Sequence, residues 1–208
     1  MEEESQEAPP PKEYISSSLT LRTRMNIVNE IARALTPRQK ELFQGTCFGP
    51  WLQLQQTRGD PALTHLFLQL QPIGIQRGEQ EFWFYFPPFH YARFGREEFC
   101  LVTGLRFGRH DSFGPYIQNI HGPLWVFNVF PGYNRGGEGL KVSDFEKVLQ
   151  EGPSGRLSDI DFVRLCVILL VEVGFTGKQS TQLVSPDMLS LAENMEAWNM
   201  FPWGSYLW

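Results

Sequence analysis

Residues 159–173 are the segment that most constrains how this 208-residue chain can fold. Apolar side chains occupy nearly every face of the helix that this segment would form after a cap at Ser158, and only Arg164 and Glu172 carry charge beyond its first turn. At about 15 residues the helix is too short and too charged to cross a bilayer. A helix without a polar face must be covered on all sides, so the sequence predicts one core built around residues 159–173.

The first fourteen residues differ in composition from the remainder of the chain. They contain five glutamates, one lysine and three consecutive prolines, and almost no apolar side chain. Such a segment cannot bury enough apolar surface to offset its ordering entropy, so we predict a disordered acidic tail at 1–14 and a single domain at 15–208. Beyond the tail the charges nearly balance, which gives no overall attraction to nucleic acid or to anionic lipid.

Cysteine usage indicates a reducing compartment. Cys47, Cys100 and Cys166 lie far apart in sequence, each has large apolar neighbours, and none belongs to a Cys-x-x-Cys pair. Thiols in a core explain this pattern better than disulfides or a zinc site. We therefore expect a nuclear or cytoplasmic protein that does not span a membrane.

Capping signals predict three helices in the N-terminal third of the chain. Apolar residues at helical spacing mark the first, between residues 25 and 35. Thr36 before Pro37, with Gln39 three residues later, predicts the start of the second. Asp60-Pro61 repeats the signal of a cap followed by proline and predicts the third.

An aromatic β-hairpin is predicted next. Residues 82–86 are five consecutive aromatics, and residues 89–94 continue the aromatic run after Pro87-Pro88. Aromatic side chains favour strands, whereas two prolines cannot lie inside a ladder and therefore mark the connection. A short helix to Thr103 should follow, ended by Gly104 in the left-handed conformation.

The C-terminal half is predicted to be helical, with one weakly patterned stretch. Residues 124–127 suggest a short strand or a buried loop. A helix capped by Ser143 and Glu146 should precede the central helix, and a last helix should run from Ser185-Pro186 through Trp198. The predicted fold class is α+β, mainly α: a helical domain with one aromatic β-hairpin and a central buried helix.

No catalytic, metal or cofactor site is predicted. Residues 174–178 resemble part of a phosphate loop, but Glu172 and Gln179 stand where that loop needs glycine and a hydroxyl. A helix N-terminus explains Asp159 and Asp161 better than a metal site does. The chain also has no nucleophile elbow. We therefore expect no enzyme activity, no metal and no cofactor.

The candidate binding residues are four arginines beside the aromatic run: Arg93, Arg96, Arg106 and Arg109. Guanidinium groups make bidentate phosphate contacts and stack on bases, so a nucleic-acid interface is one hypothesis. Glu97 and Glu98 lie within the cluster, which favours a solvated edge in a domain of balanced charge.

Two motifs carry a family resemblance. One lies within residues 94–108, and its signature residues are Glu98, Phe99, Thr103, Gly104 and Leu105. The other closes the chain as Phe201, Pro202, Trp203 and Gly204. Together they closely resemble the signature of the plant DUF1985 family of domains of unknown function. Further similar patterns extend the resemblance over about residues 25–208.

This resemblance implies a context rather than a mechanism. Members of the family occur in plant proteins derived from transposable elements, upstream of a ubiquitin-like-protein-specific cysteine protease domain, which implies a nuclear location. We expect a non-catalytic interaction or scaffolding module of transposon origin with a protein partner. Two alternatives stay open: a nucleic-acid-binding module that uses the arginine cluster at 93–109, or the non-catalytic N-terminal part of a truncated protease.

Overall fold

The computed structural model describes residues 19–54, 59–72, 81–108, 112–118, 122–134, 136–153 and 157–208. These residues form an α+β fold that is mainly helical and contains a two-stranded antiparallel hairpin, as the sequence predicts. The tail predicted at 1–14 lies outside the described residues. In the described part of the chain, no helix is long and apolar enough to cross a membrane.

The first helices begin where their capping residues predict. Their bounds are α1 Ile27–Ala34, α2 Pro37–Gln44, a 3-10 helix Gly49–Gln53 and α3 Pro61–Gln69. The Gln39 N–H donates to Thr36 Oγ1 at 3.3 Å, and the Thr36 N–H donates to Gln39 Oε1 at 3.0 Å. Asp60 Oδ1 accepts from the Leu63 N–H at 3.0 Å. These bonds satisfy N–H groups that a helix start leaves unpaired.

The aromatic run forms the predicted hairpin. β1 (Phe82–Phe86) and β2 (His90–Phe94) pair antiparallel, with Phe82 opposite Phe94 and Phe86 opposite His90. α4 (Arg96–Thr103) follows, and Gly104 ends it with a φ of 71°, in the left-handed region. The predicted glycine stop is therefore confirmed.

The expectation of a strand or buried loop at 124–127 is wrong. After α5 (Gly114–Ile117), these residues lie in α6 (Leu124–Val129). The buried Trp125 indole N–H donates to the Leu189 carbonyl at 3.0 Å, which fixes α6 by a contact distant in sequence. A four-residue apolar run does not distinguish a short buried helix from a strand.

α7 (Val142–Glu151) begins before its predicted cap. Ser143 and Glu146, the expected capping pair, lie inside the helix, and the Lys141 N–H donates to Asp144 Oδ2 at 2.8 Å instead. The observed capping pair, Lys141 and Asp144, has the expected spacing of three residues but lies two residues before the predicted pair. Glu146 is engaged elsewhere, because it pairs with Arg24.

The predicted central helix is confirmed. α8 (Asp159–Leu169) continues directly into a π-helix (Leu170–Phe175), and the Asp161 N–H donates to Ser158 Oγ at 3.2 Å. Residues 161–163 and 165–174 are buried. α2, α6 and α7 pack against α8, while α1 packs against the π-helix, so the core surrounds this segment.

The last predicted helix is two helices. α9 (Pro186–Glu193) and α10 (Met195–Met200) are separated at Asn194, so the expectation of one helix through Trp198 is wrong. The Asn194 side chain accepts from the N–H groups of Glu196 and Ala197, and this cap starts α10 inside a continuous apolar pattern. The closing residues form a further helix, α11 (Trp203–Leu207), which the sequence does not predict.

Replacing Leu169 with alanine should lower the free energy of unfolding by about 2–5 kcal/mol, because Leu169 is buried and its truncation leaves a cavity. Urea denaturation would measure the loss. Leu124→Ala is the matched control, since Leu124 is exposed and its change should stay within about 0.5 kcal/mol. Equal losses in the two variants would contradict the central position of α8.

Replacing Gly104 with valine should lower the free energy of unfolding by about 1–3 kcal/mol, because a β-branched residue is strained at positive φ. The space around Gly104 is open, so the loss would report the backbone conformation rather than a clash. Gly114→Val is the control, since that site is equally open and has no positive φ. Equal stability of Gly104→Val and wild type in urea denaturation would refute the left-handed stop.

Candidate interaction surface

The two signature motifs meet in space. The Gly204 N–H donates to the Arg106 carbonyl at 2.8 Å. A Cβ at Gly204 would lie 2.7 Å from that oxygen and 2.9 Å from the Leu105 carbonyl oxygen, so only glycine permits this approach. Gly108 exchanges two hydrogen bonds with the Ser205 hydroxyl, at 3.0 and 3.2 Å. The two motifs therefore hold residues 105–108 against the start of α11.

The signature residues within α4 define its two ends. At the start, the Gly95 N–H donates to Glu98 Oε2 at 2.7 Å. At the end, Thr103 Oγ1 donates to the Phe99 carbonyl at 2.7 Å and accepts from the Leu105 N–H at 3.2 Å. Glu98 and Thr103 thus have structural roles.

The closing motif belongs to an aromatic cluster in the core. Phe201 stacks on Phe113, with ring centroids 4.8 Å apart and planes at 9°. The Trp203 indole N–H donates to the Trp198 carbonyl at 2.8 Å. Phe201, Pro202 and Trp203 are all buried, so the closing motif supports the fold.

Trp208 attaches the hairpin to the body of the domain. Its ring lies among four phenylalanine rings at centroid distances of 5.6, 5.8, 5.2 and 6.5 Å, which belong to Phe82, Phe94, Phe99 and Phe107. These rings come from β1, β2, α4 and the segment that Gly204 holds in place. One tryptophan therefore joins the hairpin and α4 to the C-terminal helix.

Arg93 lies at the centre of a network with three carboxylates. Its guanidinium nitrogens lie 3.2 Å from Glu81, 3.2 Å from Glu97 and 3.1 Å from Glu98. Its hydrogen bond to Glu98 raises the pKa of Arg93, while the Gly95 N–H, together with Arg93, lowers the pKa of Glu98. The network is exposed, so its stabilisation is small; it is present at neutral pH and is lost as the pH falls through the lowered pKa of Glu98.

The other arginines of the predicted cluster have different neighbours. The Arg96 guanidinium carbon lies 5.4 Å from the centroid of the Phe107 ring, a cation–π geometry. Arg106 donates to the Asn199 carbonyl at 3.1 Å. Arg109 lies outside the described residues. The three described arginines thus have separate partners, a carboxylate network, an aromatic ring and a backbone carbonyl.

Apolar side chains with exposed surface lie on the same hairpin face and the same helix as the Arg93 network. Tyr85 and Tyr91 share one face of the hairpin with Arg93, and their rings lie 5.1 Å apart. On α4, Leu101 and Val102 are 84% and 75% exposed, one turn after the two glutamates that Arg93 binds. We define the outer surface as the tyrosines and aliphatic residues together with the charged residues between them: Tyr85, Tyr91, Arg93, Glu97, Glu98, Leu101 and Val102.

The sequence predicted the charged centre of the outer surface and missed its apolar part. The sequence predicts only that Leu101 and Val102 lie in the helix that ends at Thr103. Their spacing of four residues from Glu97 and Glu98 places them on the same face as those glutamates. Two aliphatic residues on the charged face of a short helix are a signal that could have identified them.

The buried Glu172 forms an ion pair. Lys178 Nζ lies 3.0 Å from Glu172 Oε1 and 2.8 Å from Oε2, and it donates to the Leu183 carbonyl at 3.1 Å. Burial and the charge of Glu172 raise the pKa of Tyr206. Glu172 binds the ammonium group that a phosphate loop would direct at a phosphate, so residues 174–178 serve as the end of the π-helix and the turn that follows it.

Cys47 and Cys166 are protonated thiols, and the described residues contain no cluster of metal ligands. Burial raises the pKa of Cys47 to about 12 and also raises the pKa of Cys166, so both thiols are protonated at neutral pH. No group of three or more potential metal ligands occurs among the described residues. An open cleft of about 620 Å³ is lined in part by residues 131–134 and 137–141, and its Lys141 lies 4.0 Å from Glu138.

The fold and the outer surface define a mainly helical α+β domain with an attached aromatic hairpin. A family model described as "Domain of unknown function (DUF1985)" matches residues 75–208, so this chain belongs to the DUF1985 family. Both signature motifs lie within the match, whereas the similar patterns upstream of residue 75 lie outside it. The match indicates no catalytic family. No curated protein and no solved structure matches the chain.

Replacing Lys178 with methionine should lower the free energy of unfolding by about 3–5 kcal/mol, because it leaves the Glu172 carboxylate buried without a counter-charge. Lys147→Met is the control, since the Lys147 side chain is 76% exposed and lies 4.0 Å from Glu151. The double variant Glu172→Met with Lys178→Met should recover part of the loss. Equal stability of Lys178→Met and Lys147→Met in urea denaturation would contradict the buried pair.

Proposed function

We propose that this domain is a non-catalytic interaction module that binds a protein partner through the outer surface. The observation that supports the proposal is the exposure of Leu101 and Val102, 84% and 75%, on the helix whose Glu97 and Glu98 bind Arg93. Tyr91, which is also exposed, lies on the same face of the hairpin as Arg93. Contiguous exposed apolar side chains are typical of protein interfaces, where aromatic and aliphatic anchors provide most of the binding energy. The charged residues around Arg93 contribute specificity rather than affinity.

The family resemblance adds a context to this proposal. It favours a plant, transposon-derived, nuclear protein in which the module lies upstream of a ubiquitin-like-protein-specific protease domain. In that arrangement the module supplies binding, and the protein that it holds is brought close to the protease.

Nucleic-acid binding is the alternative, and the contacts of the arginines support it less well. Arg93 is surrounded by three carboxylates, and Arg106 donates to a backbone carbonyl. A phosphate would have to compete with these partners. Affinity for nucleic acid that rests on phosphate contacts also falls steeply with salt, which gives a direct test.

The proposal predicts that a photo-crosslinking amino acid at position 101 or 102 captures one defined protein from plant nuclear extract. The same group at Met200, which is 59% exposed and lies on α10, is the matched control and should not capture it. Leu101→Asp combined with Val102→Asp should abolish the interaction of the captured protein with purified domain, because charge prevents apolar docking, while circular dichroism stays unchanged.

A titration with fluorescent single- and double-stranded DNA and RNA, at low and at physiological salt, separates the two functions. We expect no salt-sensitive binding. Micromolar binding that charge reversal at Arg106 and Arg109 abolishes, without capture at positions 101 and 102, would overturn the protein-interaction proposal in favour of the alternative.

A further inference from the structure

The two edges of the hairpin differ. On the outer edge of β1, the Tyr85 N–H donates to the Leu70 carbonyl at 2.7 Å, so another part of the chain already occupies that edge. The same bond fixes the pairing pattern. Since the Tyr85 N–H points away from β2, the pair Tyr85 and Tyr91 is a non-hydrogen-bonded pair of the ladder.

This pattern makes β2 an open edge strand. Inward and outward backbone groups alternate along a strand, so the N–H and C=O groups of Tyr91 and Arg93 point away from β1. Within the described chain, no backbone or side-chain group bonds to these outward groups. His90, Tyr91, Ala92 and Arg93 are all exposed. Such a row of outward donors and acceptors is a template for pairing with another strand.

We propose that two copies of this chain pair through β2, antiparallel, with Ala92 on the two-fold axis, and so form a four-stranded sheet. A two-fold axis makes such an interface self-complementary, because each copy offers the same strand. This inference concerns the strand edge and does not depend on Leu101 or Val102, although Tyr91 and Arg93 belong both to β2 and to the outer surface. Cross-linking at Ala92 and photo-capture at positions 101 and 102 therefore test the two proposals separately.

The outward backbone groups select one register. With Ala92 on the axis, Tyr91 of each copy lies opposite Arg93 of the other, and every outward N–H and C=O of these two residues is paired. An axis at Arg93 would place two arginines opposite each other, at a cost from like charges. An axis at Tyr91 would pair Arg93 with Phe89, which lies in the turn and not in the strand. The register centred on Ala92 therefore uses the most backbone bonds without a charge clash.

The side chains suit this register. At the axis, the two Ala92 residues form a non-hydrogen-bonded pair, in which Cα atoms approach to about 4.5 Å, and alanine is small enough for that approach. Beside it, each Arg93 lies opposite Tyr91 of the other copy, on the face of the sheet where Glu81, Glu97 and Glu98 hold its guanidinium. Each His90 lies opposite Phe94 of the other copy. Because five-residue strands bury little area, we expect a weak dimer that forms as the concentration rises.

Register-specific cross-linking tests the proposal on the full chain. Ala92→Cys should form a disulfide-linked dimer under mild oxidation, because its Cα separation across the axis lies in the range that a disulfide spans. His90→Cys is the matched control. Its two copies would lie about 13 Å apart along the strands, too far for a disulfide. Wild type controls for the native thiols Cys47, Cys100 and Cys166. Equal cross-linking of both cysteine variants would refute this register.

Sedimentation equilibrium tests the dimer without a cross-link. Wild type should dimerise with rising concentration, and Tyr91→Pro should weaken the dimer at least tenfold, because proline removes an outward N–H while the bonds between β1 and β2 remain. Ala92→Lys, a change at an exposed position, should weaken it similarly by placing two charges on the axis. Circular dichroism checks that both variants fold. A wild type that stays monomeric at hundreds of micromolar, or a dimer that both variants leave intact, would overturn the proposal.

Discussion

The enclosure of α8 and its π-helix is the constraint on which the rest of the structure depends. This segment is buried on nearly every side. α2, α6, α7 and α9 pack against α8, and α1 packs against the π-helix at its C-terminal end. Apolar burial at roughly 25 cal/mol per Å² drives this arrangement. α3 and α4 contain no buried residue, and they lie outside this core together with the hairpin. The exposed apolar side chains of the domain concentrate there for that reason, which is why the proposed binding functions fall on this part.

A carboxylate within that core imposes a second constraint. Glu172 has no exposed surface, and a buried charge of this kind requires a counter-charge. Lys178 supplies it because the chain turns back after the π-helix, with Gly177 at a φ of 68°. A Cβ at Gly177 would lie 3.0 Å from the backbone at Thr23, so the turn is also pressed against the N-terminal segment. The glycine and lysine that resemble a phosphate loop are thus explained by chain reversal and by neutralisation of one buried charge.

Local signals predicted much of this fold, and contacts distant in sequence account for the errors. Thr36, Asp60, Ser158 and Gly104 act on backbone groups within four residues of themselves, so the sequence shows their roles directly. α6 depends on a hydrogen bond from Trp125 to Leu189, and no local pattern reveals that bond. The outer surface shows the same division. Arg93 and its neighbours Glu97 and Glu98 could be predicted from spacing, whereas Glu81 joins the network only because the hairpin brings it close.

The family signature marks residues that attach the hairpin to the body of the domain. Glu98 and Gly104 set the ends of α4, Gly204 lets the chain approach Arg106, and Phe99 packs against Trp208. The contacts of Gly204 and Phe99 face the body of the domain, whereas Glu98 also belongs to the outer surface through its ion pair with Arg93. Leu101 and Val102 lie between the signature residues of α4 and make none of these contacts. Exposed side chains can be replaced without loss of the fold. The side chains that attach the hairpin to the domain cannot be replaced in this way, because they are packed. Phe99, Gly104 and Gly204 therefore support the fold, whereas the exposed Leu101 and Val102 remain available for the proposed interaction.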